Sequence, residues 1–355
     1  MYRKIIYLVI TVSLLIGAMT PNKAYAIKGV DISTLLRQEA DGVKYNECGI
    51  QKDPITIFKN HGIDLVRMQL FVDPNTKDTG TAMTLDYVKT LAARCKAAGM
   101  EIMLDIHYSD TWANPGIQTK PAAWKDLTQE QLVAKVFEYT KDVCLQIKPA
   151  YVQIGNEINC GILWPNGNAC PPDGNWDNLR ELITSAHKGV KAAGDRIITI
   201  VHVAENKAAD LKWYFDNLLA SKVSFDVIGL SYYKEYHGDL ANFKATHEQA
   251  KSYGKKIIIC ELGDYYTGNS TTYTGNSATD TGKSATDTSK SATEDTQAKF
   301  ITDVLAINSD VVYWEPAWVY NSPVGDRALF KPISGDPKNV EMTKGLTSFG
   351  GTACP

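Results

Sequence analysis

The sequence lacks the short motifs that mark several large classes of protein. It has no C-x-x-C pair and no H-x-x-x-H spacing, which argues against a structural zinc site and against a helix-borne catalytic zinc. No G-x-G-x-x-G follows the first β-type segment, so a dinucleotide-binding fold is not supported. The formal net charge is only -3, and nothing resembles the basic footprint of a protein that binds nucleic acid.

Long apolar runs are scarce, and the one at the N-terminus has the organisation of a secretory signal peptide. Arg3 and Lys4 precede an apolar stretch at 5–19, and Ala24-Tyr25-Ala26 fits a signal-peptidase site. The stretch is shorter than the about 20 residues that cross a bilayer. We therefore expect 1–26 to be removed, which leaves a secreted or periplasmic protein with no stable membrane insertion; an uncleaved anchor is the alternative.

Residues 27–355 alternate apolar β-type segments with helical patterns. Eight strands are predicted near 29–32, 64–70, 101–107, 151–156, 196–202, 226–231, 256–260 and 311–314. Helices are predicted at 85–98, 129–146, 176–193 and 208–219. The strands are almost continuously apolar, as parallel strands buried on both faces are. Eight β/α units of this size predict a single-domain (β/α)8 TIM barrel, whose functional residues collect at the C-terminal ends of the strands.

Residues 267–296 interrupt this pattern after the seventh strand. They are rich in Thr, Ser, Gly, Asn and Asp and repeat a Ser-Ala-Thr-Asp-Thr unit. Such a composition buries too little apolar surface for a core, so we predict a mobile loop on the catalytic face. Asp264, Asp280 and Asp287 offer oxygen atoms to a structural calcium ion, but they lack an EF-hand spacing and we favour no ordered metal there.

Polar and aromatic residues accumulate where the predicted strands end. Glu157 follows the fourth strand and Glu261 follows the seventh. Glycoside hydrolysis needs two such carboxylates on opposite walls, one to protonate the leaving oxygen and one to attack the anomeric carbon. Nearby aromatic rings would provide platforms for sugars. Singly, such glutamates are often ion-pair partners and such histidines and tryptophans are often buried core residues; a metal hydrolase is the other enzymatic alternative.

Two segments resemble the signatures of glycoside hydrolase family 53, the endo-β-1,4-galactanases. They are HYSDTWANPGIQTKPAAW at 107–124 and VQIGNEINCGILWPNG at 152–167. Shorter matches, from KGVDIS at 28–33 to WEPAW at 314–318, extend the resemblance over nearly the whole mature chain. The resemblance implies a retaining, endo-acting enzyme that cleaves β-1,4-galactosidic bonds in galactan or arabinogalactan. We expect a monomer that requires no cofactor and no catalytic metal.

The resemblance also implies roles for individual residues. Glu157 matches the general acid/base, Glu261 the nucleophile and Asn156 the residue that hydrogen-bonds the sugar 2-hydroxyl. The surrounding substrate-binding shell is expected to comprise Arg67, His107, Asp110, Trp112, His202, Tyr232 or Tyr233, Trp314 and Trp318, with Trp314 flooring the subsite of the cleaved sugar. The sequence departs from the family pattern at two places. Leu262 stands where the family usually has Thr, and Lys-Glu-Tyr follows Tyr233 where Pro and Trp or Phe are common. These departures affect the expected substrate more than the expected chemistry.

Two other functions remain as alternatives. One is another retaining barrel glycosidase, such as a β-mannanase or an endoglucanase, and the other is a catalytically silent polysaccharide-binding protein.

The seven cysteines of the sequence permit disulfides in an exported protein. Cys160 and Cys170 flank a short loop beside Glu157, and we predict that they form a disulfide. Cys260 is predicted to be a buried thiol that points away from Glu261, because successive side chains of a strand alternate.

Overall fold

The computed structural model describes residues 26–77, 80, 82–268 and 292–354. Within them, eight parallel strands form a closed barrel: β1 Lys28–Asp31, β2 Leu65–Leu70, β3 Glu101–Ile106, β4 Tyr151–Ile154, β5 Ile198–Val203, β6 Val227–Tyr232, β7 Lys256–Leu262 and β8 Val311–Tyr313. The strands pair in chain order, and β1 closes the barrel by pairing with both β2 and β8. The predicted (β/α)8 barrel is confirmed, and every predicted strand boundary lies within two residues of the observed one.

Helices surround the barrel. The described residues form six long helices, Leu85–Ala97, Gln129–Ile147, Trp176–Ala193, Ala208–Leu219, Leu240–Lys251 and Glu294–Leu305, and four short ones, Leu35–Ala40, Pro54–Asn60, Lys234–His237 and Lys344–Thr347. The four predicted helices are therefore confirmed. Thr84 and Thr128 begin two of them, because each side-chain oxygen accepts a hydrogen bond from the backbone N–H three residues later.

A four-stranded side sheet was not predicted. Its strand order is Phe330–Ile333, Asp336–Met342, Lys44–Glu47 and Ile50–Gln51. The Tyr45 hydroxyl anchors the sheet by donating to the Ala317 carbonyl at 2.9 Å, and the Phe330 ring meets Phe58 of a neighbouring helix edge-on at 5.8 Å. A second disulfide, Cys48–Cys354, ties the same region to the C-terminal segment.

The barrel interior changes from apolar to polar along its axis. The N-terminal halves of the strands contribute an inner apolar cluster comprising Ile27, Leu65, Met103, Ile200, Val227, Ile258, Cys260 and Val312. The next inward-facing residues on β2 and β3 are Arg67 and Asp105, both fully buried. A hydrogen-bonded polar layer thus lies on an apolar floor, at the end of the barrel where active sites form.

Cys260 is a buried thiol, as predicted, but its predicted orientation is wrong. The pairing of β7 with β6 skips a residue, since Ile259 pairs with Leu230 and Glu261 pairs with Ser231. Cys260 therefore occupies a β-bulge, where the alternation of side chains breaks down. Cys260 lies in the inner apolar cluster and Glu261 also faces the interior, toward Arg67.

Two predicted segments lie mainly outside the described residues. They are the signal peptide, of which only residue 26 is described, and the loop at 267–296, of which 269–291 are not described. Among the helices that the structure does describe, none has the length and apolar character needed to cross a membrane.

Candidate active site

Glu157 and Glu261 face each other at the C-terminal end of the barrel. Glu157 follows β4 and Glu261 lies near the end of β7. Oxygen atoms of the two carboxyl groups lie within 4.8 Å of each other. Retaining glycosidases hold their carboxyl groups about 5–5.5 Å apart, whereas inverting ones need about 6.5–9.5 Å to admit a water molecule. The observed approach of the two oxygen atoms is compatible with the shorter of these separations.

Glu261 is held by two donors. Arg67 Nη2 lies 2.9 Å from Oε1, and the Tyr233 hydroxyl donates to Oε2 at 2.8 Å. The guanidinium of Arg67 is itself fixed by Asp31 at 2.6 Å and by Asp105 at 2.9 Å. These charge-assisted contacts favour the ionised form of Glu261 and fix the direction of its carboxylate.

A tight turn after β4 presents Glu157 to the site. Gly155 has a φ of 77°, and a Cβ there would approach Ile158 and Ile162 side-chain atoms to 2.6 and 2.8 Å, so only glycine fits. Glu157 itself has a positive φ of 46°. Its Oε1 accepts a hydrogen bond of 2.7 Å from the Ser231 hydroxyl.

His202 supports this contact from inside the barrel. Its Nε2 lies 2.8 Å from the Ser231 oxygen, and its Nδ1 accepts from Gln153 Nε2 at 2.8 Å. Burial and the nearby Arg67 hold the pKa of His202 well below its usual range, so the ring is neutral. A neutral ring with a proton on Nε2 donates to Ser231, which leaves the serine hydrogen for Glu157.

The two carboxyl groups differ in their affinity for a proton. Burial raises the pKa of Glu157 to about 8, and the charge of Glu261 adds to the effect. Burial also raises the pKa of Glu261, but Arg67 and the Tyr233 hydroxyl oppose that shift. Two carboxylates this close resist ionising together, so the one beside the guanidinium loses its proton first. At neutral pH the site holds an ionised Glu261 and a protonated Glu157.

Three predicted tryptophans form one side of the site. The rings of Trp112 and Trp318 are parallel within 5°, with centroids 6.4 Å apart. Trp314 meets both edge-on, at 6.3 and 6.4 Å. The buried indole N–H groups of Trp314 and Trp318 have no hydrogen-bond partner among the described residues. The ring faces suit a sugar, which presents apolar C–H faces.

His107 and Asn156 complete the polar layer. His107 Nε2 lies 2.9 Å from Asp105, and its Nδ1 accepts from the Ala113 N–H at 3.0 Å. Asn156 Oδ1 accepts from Arg67 at 2.8 Å, and its Nδ2 donates to the Ala113 carbonyl at 2.8 Å. Both residues therefore lie beside the carboxyl pair, where the sequence placed them.

Two predicted residues are not brought to the carboxyl pair. The Tyr232 ring stacks on Phe243 at 4.1 Å, and its hydroxyl donates to the Gly238 carbonyl, so it belongs to the core outside the barrel. Tyr233 is the tyrosine of this adjacent pair that reaches the site. Asp110 accepts from the Asp73 and Ala122 N–H groups at 2.9 and 2.8 Å, and thus fastens two loops together.

Sequence reasoning missed five polar residues of this layer: Asp31, Asp105, Gln153, Ser231 and Glu315. One of them, Asp105, lies two residues before His107, which had been identified, and so occupies the preceding inward position of the same strand. Counting alternate residues back from each strand end would have found Asp105. Ser231 carries no such signal, because only its contact with Glu157 distinguishes it.

Glu157, His202 and Glu261 offer ligand atoms within 4.8 Å of one another, the one cluster of potential metal ligands in the described part of the chain. His202 engages both ring nitrogens in hydrogen bonds, as described above, so it is poorly placed to ligate an ion. Asp264 is a poor calcium ligand because it pairs with Lys234 at 2.6 Å. Asp280 and Asp287 lie outside the described residues.

The predicted disulfide between Cys160 and Cys170 is confirmed. It closes the loop that begins three residues after Glu157 and that contains a short hairpin, Gly161–Ile162 with Gly167–Asn168. The Trp164 indole donates to the Cys160 carbonyl at 2.9 Å within this loop. The bond therefore restrains the segment that carries Glu157.

Replacing both Cys160 and Cys170 by serine should lower the free energy of unfolding by about 2–3 kcal/mol, the chain-entropy value for a loop of about ten residues. Denaturant unfolding of the variant and the wild type measures the difference. Replacing the buried, unpaired Cys144 by serine controls for the loss of a sulfur atom. Equal stability of the double variant and the wild type contradicts the prediction.

The fold and the site together define a class of enzyme. A close pair of carboxyl groups at the ends of two barrel strands, one ionised and one protonated, is the arrangement that glycoside hydrolases use. Residues 27–348 match the model of Glycosyl hydrolase family 53. The chain belongs to this family and is a glycoside hydrolase, as the resemblance of its motifs implied.

Individual relatives agree with this assignment. The chain is 33% identical over 345 residues to a probable arabinogalactan endo-β-1,4-galactanase A of Neosartorya fischeri, covering 92% of this chain and 93% of the relative. A family 53 catalytic domain of Ignisphaera aggregans superposes with a TM-score of 0.78 at 29% identity, over 91% of this chain and 95% of its own. One of two fungal β-1,4-galactanases superposes with a TM-score of 0.76 at 28% identity, over 91% and 98%.

Proposed function

We propose that the protein is an endo-acting β-1,4-galactanase that hydrolyses galactan or type I arabinogalactan with retention of configuration. The observation that carries the mechanism is the approach of Glu157 and Glu261 to within 4.8 Å, with Arg67 beside only one of them. The galactanase relatives support the choice of substrate.

In the first step Glu261 attacks the anomeric carbon. The glycosidic C–O bond breaks as the new ester bond forms, and Glu157 transfers its proton to the departing oxygen. Tyr233 and Arg67 hold the attacking carboxylate in one orientation, so little reorganisation is needed. The products of this step are a shortened chain and a galactosyl ester on Glu261.

In the second step the role of Glu157 reverses. The ester removes the negative charge of Glu261, which had helped to raise the pKa of Glu157. The pKa therefore falls, and the Glu157 carboxylate takes a proton from water. The oxygen of that water attacks the anomeric carbon, the ester bond breaks, and both carboxyl groups regain their starting protonation states.

We assign substrate contacts to the polar and aromatic walls. Trp314 floors the subsite of the cleaved sugar, with Trp112 and Trp318 beside it, and Asn156 faces the 2-hydroxyl group. The Asn156 amide suits this contact because Arg67 already polarises its carbonyl oxygen. Hydrogen bonds to the 2-hydroxyl strengthen in the transition state of glycoside hydrolysis.

Reducing-sugar release from linear β-1,4-galactan, compared with β-mannan and cellulose, tests the proposal. We expect activity on galactan, with a fall in viscosity that precedes the appearance of short products. Preference for mannan or cellulose would identify a different barrel glycosidase. Tight galactan binding with no new reducing ends would identify a polysaccharide-binding protein.

The pH dependence of kcat/KM should have a basic limb near pH 8, because Glu157 must be protonated in the free enzyme and its pKa is raised to about 8. Activity is present below that pH and is lost as the pH rises through it. The Ser231 hydroxyl lowers this pKa by donating to Glu157, so Ser231→Ala should move the basic limb to higher pH. A limb that stays in place in the variant contradicts the assignment of this limb to Glu157.

We further propose that the mature protein is exported and acts as a monomer. The two disulfides support export, because such bonds persist in oxidising compartments. N-terminal sequencing of protein from the culture medium should begin at residue 27, and light scattering should give the mass of one chain. Retention in the membrane fraction would favour the uncleaved anchor instead.

A further inference from the structure

A second pair of buried carboxyl groups lies behind Arg67. Glu315 follows β8 and is 2% exposed, and Asp31 ends β1 and is fully buried. Thr34 donates to Glu315 from its N–H at 2.9 Å and from its hydroxyl at 2.7 Å. Among the described residues no cationic side chain pairs with Glu315. An ionised carboxylate with this surrounding would carry a large desolvation cost.

The two carboxyl groups lie close enough to each other to share a hydrogen bond. Ionised carboxylates only accept hydrogen bonds, so this contact requires a proton on one of them. Asp31 accepts from Arg67 at 2.6 Å and from the Ser33 N–H at 3.0 Å, which favours its ionised form. The proton therefore belongs on Glu315, which donates to Asp31.

We propose that Glu315 is a protonated carboxylic acid whose hydrogen bond positions Asp31. The pair then presents a single negative charge to Arg67, the residue that also pairs with Glu261. This role as positioning residues rests on the proposed function, but the protonation of Glu315 does not. Neither residue touches the reacting atoms, because the guanidinium group stands between them and Glu261.

The charges around the pair agree with one proton. Glu315 faces Asp31, Tyr45 and Tyr87, and both tyrosines are kept neutral by pKa values raised through burial. Burial and the charge of Asp31 raise the pKa of Glu315 well above its usual range. On the other side, Arg67 faces the carboxylates Asp31, Asp105 and Glu261. A further ionised carboxylate would raise the pKa of Glu261 and so reduce the ionised fraction that the attack needs.

Infrared difference spectroscopy at neutral pH tests the protonation directly. In a Glu157→Gln background, which removes the other protonated acid of the site, adding Glu315→Gln should abolish one protonated-carboxyl C=O band. The readout involves no galactan, so it succeeds or fails independently of the substrate. A difference spectrum that shows only the loss of an ionised carboxylate overturns the proposal.

The acid limb of the kcat/KM profile tests the positioning role, since it reports the ionisation of Glu261 in the free enzyme. Asp31→Asn removes a negative charge from Arg67, so the acid limb should move to lower pH by about one unit. Glu315→Gln keeps a donor toward Asp31 and changes no charge, so the limb should stay and kcat should remain near wild type.

Glu315→Ala provides the contrast, because it removes the donor and should reduce kcat while Glu315→Gln rescues it. If Glu315→Gln moves the acid limb as far as Asp31→Asn does, Glu315 is ionised in the wild type and the proposal is wrong. If galactan is not hydrolysed at all but Glu315→Gln removes the infrared band as expected, the proposed substrate is wrong and the protonation of Glu315 is supported.

Discussion

Glu261→Ala should lower kcat on β-1,4-galactan by about 10⁴-fold or more, the scale of loss seen when a catalytic nucleophile is removed. No other carboxylate of the described residues replaces it on that wall. Asp31 and Asp105 are fully buried behind Arg67, which separates them from the substrate side. The variant should remain folded because Arg67 keeps both of these partners, and thermal unfolding checks this.

Azide should restore turnover of an activated galactoside by the Glu261→Ala variant. The small anion would occupy the space left by the carboxylate and attack the anomeric carbon from that side, giving an α-galactosyl azide by a single inversion. Product stereochemistry by NMR measures the outcome. A β-azide instead would mean that the roles of Glu157 and Glu261 are reversed, and a folded variant with near wild-type hydrolysis would remove the nucleophile assignment.

The barrel could be predicted because each of its strands leaves a local signal. Strands such as Glu101–Ile106 are buried on both faces after their first residue, so they appear as short, nearly continuous apolar runs. The helices between them carry the three-and-four spacing of a one-sided apolar face. The side sheet leaves no such signal, because Lys44–Glu47 pairs with residues almost 300 positions later in the chain. Lys44–Glu47 is therefore a strand because of its tertiary contacts and not because of a local sequence pattern.

The carboxyl pair could be predicted for a related reason. Topology places the ends of β4 and β7 at one rim, so Glu157 and Glu261 converge whatever the details of the loops. Side-chain direction could not be predicted where a ladder is irregular. The β-bulge in β7 turns Cys260 to the same side as Glu261. The alternation of side chains along an ideal strand does not predict where a bulge will occur.

Because Glu157 is protonated and Glu261 is ionised, removing Glu157 should affect the reaction differently from removing Glu261. Glu157→Ala should slow hydrolysis of natural galactan by about 10²–10⁴-fold, because the leaving sugar oxygen needs a proton. An aryl galactoside with an acidic leaving group needs little protonation, so the variant should still form the galactosyl ester on Glu261 at close to the wild-type rate. A burst of aryl alcohol followed by slow turnover measures this difference.

Azide should also affect the Glu157→Ala variant, but with the opposite stereochemistry. The anion now attacks the ester on Glu261 from the vacated acid/base side, and the second inversion gives a β-galactosyl azide. The basic limb near pH 8 should disappear from ester formation on the aryl substrate, because the carboxyl group with a pKa of about 8 has been removed. A limb that persists at the same pH would assign that titration to another residue. An α-azide from this variant would place the nucleophile at position 157, which the ion pair between Arg67 and Glu261 argues against.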